Sequence, residues 1–112
     1  MNVRILRSTG GLLFAAALAL LLSATVKADD AAAVYKSNCA ACHSADGSGN
    51  PALKQMHIPD LRSADVQKKS DADLTAMIAN GKGSMPAYKS QLSDDQIHQL
   101  VTFIRGLAKK SK

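Results

Sequence analysis

Cys39 and Cys42 are the only cysteines in this 112-residue chain, and His43 follows directly on the second. Two thiols three positions apart with an imidazole beside them constrain the fold more than any other feature, because each chemistry open to them demands a different setting. A disulfide between them would close a tiny loop and restrain little of the unfolded chain. A zinc site needs four ligands, and the second pair would have to be His57 and His98, which have no finger-like spacing. A dithiol redox pair wants a strand–turn–helix setting in a βαβ unit. The fourth option is a covalent anchor for a prosthetic group.

The first residues bear on the compartment. Arg4 and Arg7 precede the 17-residue apolar run of residues 10–26, and Val26-Lys27-Ala28 offers small residues at the two positions a signal peptidase reads. The expectation is a secretory signal peptide over residues 1–28, cleaved after Ala28, and a mature protein in the periplasm. An uncleaved anchor fits less well, since a spanning helix needs roughly 20 apolar residues. The domain then occupies residues 29–112, with no membrane span in the mature chain. Arg4, Arg7 and Lys27 leave with the leader, so the formal net charge of +5 falls to +2, with nine Asp and no Glu. The remaining basic residues are scattered and have no interleaved aromatics, which excludes a nucleic-acid footprint.

The reading of the domain is all-α. Residues 29–42 are rich in helix formers, with Asp29 and Asp30 at the positive end of the dipole and Ala31, Tyr35 and Cys39 on one face. Residues 43–61 carry two Gly and two Pro and read mostly as loop, and 63–69 as a short helix. A clearer helix follows Ser70, with Ser70 as N-cap, Asp73 at the capping-box position and Gly81 as its stop. Ser93 and Gln96 open the last helix, on which Ile97, Leu100, Val101, Ile104, Leu107 and Ala108 make one stripe and Lys109 and Lys110 meet the negative end. No segment alternates with period two, so no sheet is expected.

Only Tyr35, Tyr88 and Phe103 supply aromatic bulk to the domain. A chain this short normally needs a staple, and a large apolar cofactor would fill the deficit. Cys-x-x-Cys-His is the attachment signature for c-type haem. Two thiols one helical turn apart can reach the two vinyl positions of one haem as thioethers, and the next residue turns its imidazole toward the iron.

The chain resembles the small class I cytochromes c of bacterial periplasms. The resemblance rests on Cys39-Ala-Ala-Cys42-His43, on Gly81-Lys-Gly83-Ser-Met85-Pro86 and on the final helix from Leu100 to Leu107. It implies three to four helices wrapped around one haem, with the N- and C-terminal helices crossing near it through aromatics that map onto Tyr35 and Phe103. Ala31 stands where the family usually has Gly. It also implies one haem c held through Cys39 and Cys42 and ligated by His43, whose orientation would be fixed by the Pro59 carbonyl.

What lies opposite His43 decides the function, and the residues leave Met56, Met77, Met85, His57 and His98 as candidates. Met77 fits core packing on its helix, and His98 fits an ordinary surface histidine. Met85 sits between Gly83 and Pro86, where the proline forces an extended backbone. The resemblance makes Met85 the sulfur ligand, and His57 in a bis-His site is the alternative. Tyr88 is expected to pack or hydrogen-bond near a haem propionate, and Lys54, Lys82 and Lys89 either surround the haem edge or are plain solvated charges. His/Met ligation implies a one-electron carrier rather than an enzyme, exchanging electrons with redox partner proteins. The donor would be a dehydrogenase or quinol-oxidising complex and the acceptor an oxidase or reductase. The rival functions are an open-site haem protein for gas sensing or peroxide chemistry, and a haem subunit dedicated to one oxidoreductase.

Overall fold

The computed structural model describes residues 26–112. The chain runs α1 (Val26–Asn38), α2 (Ala40–His43), a 3-10 helix (Pro51–Met56), α3 (Ala64–Gln67), α4 (Asp71–Asn80) and α5 (Asp94–Lys110). Three of these are long enough to frame a core, and α2 and α3 are single turns. Extended pairing among the described residues is limited to one isolated bridge, between Lys82 and Met85. The signal segment expected over 1–28 lies outside the described residues, apart from its last three, which begin α1.

The later helices start where side chains can satisfy their free amides. Ser70 accepts from the Asp73 amide at α4, and at α5 Ser93 accepts from the Gln96 amide while the Gln96 side chain accepts from the Ser93 amide, a complete capping box. The stripe of α5 faces inward, with Ile97, Leu100, Val101, Ile104 and Leu107 buried and Ala108 only partly so. It packs against α1 on one side and α4 on the other. Ala31 is buried, so the methyl group in place of glycine is accommodated, and Tyr35 on the same face stacks on Phe103 with ring centroids 4.8 Å apart. Arg105 of α5 donates to the Gln67 and Lys69 carbonyls and pairs with Asp71, so it ends α3 and anchors the start of α4 together.

Two features depart from the sequence reading. The first helix breaks at Cys39, where the Cys42 amide turns to the Cys39 carbonyl. The turn that follows ends at His43 because the returning loop claims its carbonyls: Gly49 and Asn50 amides donate to His43 and Cys42, and the Asn50 side chain donates to Ala41. Residues 51–56, read as loop, form the 3-10 helix, with Pro51 in its first turn and the Asn50 side chain accepting from the Ala52 amide.

Candidate functional site

The helices close around a mainly apolar cavity of about 660 Å³, a size suited to a cofactor. Leu61, Val66, Leu74, Ile78, Leu100 and Ile104 form much of its wall, drawn from both ends of the domain. Cys39, Cys42, His43, Pro59 and Met85 all line this one cavity, so every residue singled out in the sequence as a site residue is brought together.

The thiol end belongs to α1 and α2. The two cysteines form no disulfide and are half-buried. Burial, reinforced by the neighbouring Cys42, pushes the Cys39 thiol up to about 11. Burial also pulls the His43 imidazole below its ordinary value, and the Pro59 backbone offsets part of that from beside the ring. The Pro59 contact falls short of a well-formed hydrogen bond, for His43 Nδ1 is buried without a partner. Tyr35 donates its hydroxyl to the Ser44 carbonyl at 2.7 Å, bracing the turn that follows; Ser44 itself has a positive φ of 65°.

The Met85 end is a tight loop after α4. Gly81 has φ +70°, and a Cβ there would fall 2.5 Å from the Met85 carbonyl oxygen, so only glycine fits. Lys82 and Met85 exchange amide–carbonyl bonds at 3.1 and 3.0 Å, and the amides of Tyr88 and Lys89 take up the Ile78 and Ala79 carbonyls at the end of α4. Met85 is half-buried and packs against the core.

Among the other candidates, Met77 and His57 also reach the cavity, Met77 half-buried and His57 exposed at the left-handed end of the 3-10 helix, and Met56 lines it while 38% exposed. His98 is exposed and does not line it. Of the three lysines, Lys82 alone lines the cavity. The Tyr88 hydroxyl donates to the Asn38 carbonyl at 3.0 Å. Sequence reasoning missed this pairing, since a backbone acceptor carries no side-chain signature.

The donor set fits a covalently held haem better than the other chemistries. No three His, Cys, Asp or Glu side chains among the described residues cluster to hold a metal ion, which leaves a zinc reading without ligands. The cysteine pair sits in a helical setting with no strand before it among the described residues, unlike a βαβ dithiol. A half-buried imidazole beside a large apolar cavity, with two thiols and a thioether on the same wall, suits a prosthetic group with a metal centre.

Comparison with known proteins gives the same picture. A family model for cytochrome c oxidase, cbb3-type, subunit III, matches residues 26–104. The cytochrome c6 of Leptolyngbya boryana is 39% identical over 84 residues, covering 72% of this chain and 96% of that protein. The cbb3-type cytochrome c oxidase subunit FixP of Rhizobium meliloti strain 1021 is 38% identical over 77 residues, 66% of this chain, and the match spans 25% of that longer protein. Among solved structures, the KustC0563 c-type cytochrome superposes with a TM-score of 0.65 at 26% identity, over 70% of this chain and 96% of that one.

Proposed function

The chain belongs to the small mono-haem c-type cytochromes of the cytochrome c6 and cbb3 subunit III family, electron carriers rather than enzymes, and from that premise we propose how it carries an electron. One haem c would be held by thioethers to Cys39 and Cys42, with His43 and Met85 supplying the protein ligands to its iron. The observation that carries this reading is that both cysteines, His43 and Met85 line one apolar cavity.

When bound, the haem supplies a one-electron iron couple, and a His/Met pair places its potential higher than harder ligands do. The chain's own residues do the rest. The apolar wall would keep water from the iron, Pro59 would orient the His43 ring by closing its carbonyl onto the unpartnered Nδ1, and the Gly81–Met85 loop would present the thioether. The fixed backbone at both ends keeps rearrangement between oxidation states small. The partners are redox proteins, a dehydrogenase or quinol-oxidising complex on one side and an oxidase or reductase on the other, met in brief encounters over a small interface. Residues 1–28 act as the leader and residues 29–112 as the mature carrier in the periplasm. None of the helices among the described residues is long and apolar enough to cross a membrane.

The test is the absorption spectrum of the oxidised holoprotein. The weak far-red sulfur-to-iron band should be present, and Met85→Ala should lose it, keep its covalent haem and bind carbon monoxide when reduced. A wild-type protein that lacks the band and binds carbon monoxide freely would instead be an open-site haem protein.

A further inference from the structure

The two ends of the cavity are joined by one side chain. Tyr88, three residues after Met85, sends its hydroxyl to the carbonyl of Asn38, the residue directly before Cys39, across a sequence separation of 50. That carbonyl is available because the first helix breaks at Cys39: the Cys42 amide turns to the Cys39 carbonyl at 3.2 Å. A carbonyl at a helix end needs a donor, and the tyrosine supplies one from the far side of the domain. The Tyr88 amide meanwhile holds the Ile78 carbonyl at 3.1 Å, so this residue is fixed to α4 by its backbone and to α1 by its side chain. Its ring is half-buried and lines the same cavity as Met85.

We propose that Tyr88 is the positioning residue for the Met85 thioether: by tying the Met85 loop to Asn38, its hydroxyl sets how readily an outside ligand displaces the sulfur from the iron. The inference rests on Met85 being a ligand of the iron. A thioether is a soft, uncharged ligand, so its hold on a ferric iron depends on how firmly the backbone presents it. Phenylalanine at this position would keep the ring in place and lose the tie. Tyr88 itself touches no reacting atom in this scheme and acts through the loop.

The experiment is an imidazole titration of the ferric holoprotein, followed at the far-red sulfur-to-iron band, for wild type, Tyr88→Phe and Tyr88→Leu. Tyr88→Phe should give up the band at imidazole concentrations about two- to tenfold lower than wild type, the range that loss of one uncharged hydrogen bond allows. Tyr88→Leu, which loses the ring as well, should give it up lower still; if that variant yields no holoprotein, Tyr88→Phe decides. A merely structural role would lower the thermal midpoints of both oxidation states and leave the imidazole midpoint unmoved, and that result overturns the proposal alone. A wild-type protein with no far-red band overturns the Met85 ligation and this proposal with it.

Discussion

Tyr35 shows how much one residue does in a core short of aromatics. It is 2% exposed, stacks on Phe103 and donates to the Ser44 carbonyl beyond the His43 turn. Burial pushes its phenol up to about 12 and raises that of Tyr88 as well. The unfolded chain therefore releases the Tyr35 proton first once the pH passes the ordinary phenol value of 10.0. Tyr35 accordingly contributes stability that is intact below that value and is lost as the pH rises toward about 12. An NMR titration of the tyrosine Cζ resonances in the holoprotein should show neither of the two tyrosines ionising at its ordinary value, and Tyr35→Phe should remove the step near 12. A step at the ordinary value assigned to Tyr35 would mean that its hydroxyl is open to solvent.

Among the elements, the helix starts were the most legible. Ser70, Ser93 and Gln96 declare their helices through local chemistry, the serine oxygens meeting an amide three residues on and the Gln96 oxygen one three residues back, and all three act as their spacing predicts. Ser93→Ala should therefore cost about 1 kcal/mol in denaturant unfolding, with Gln96→Ala adding less than its separate effect because the two bonds form one box. The break at Cys39 was not legible, since residues 29–42 are good helix formers and nothing local marks where the Cys42 amide turns to the Cys39 carbonyl. Asn50-Pro51 did carry a signal, an N-cap followed by a proline in the first turn, but so short a 3-10 element has no apolar periodicity to separate it from a turn. The clustering of Cys39, Cys42, His43, Pro59 and Met85 was legible through motif and resemblance. The Tyr88–Asn38 bond was not, because its acceptor is a backbone atom exposed by a helix break that only the tertiary fold creates.

For the molecule as a whole, the helices enclose a cavity of about 660 Å³ within a domain whose core has few large side chains. Leu61, Leu74, Ile78, Leu100 and Ile104 belong to the buried core and also line this space, so a large group filling it adds contacts to the same core. Replacing both Cys39 and Cys42 with alanine should therefore prevent a stable holoprotein. Far-ultraviolet circular dichroism of that variant should show helicity well below that of the wild type, with no cooperative thermal transition. A well-folded, haem-free variant would show that the helices need no filler.

The bonds around the attachment turn also have an order in time. Gly49 reaches His43, Asn50 reaches Cys42 and Ala41, and Tyr35 reaches Ser44, each across fewer than ten residues. The contact between α1 and α5 joins opposite ends of the domain and must wait for the last helix. Closing a short loop costs little chain entropy and is fast, whereas pairing distant segments is slow. The turn bearing both thiols can thus take shape while the C-terminal half is still extended, presenting Cys39 and Cys42 for bond formation before the cavity has walls.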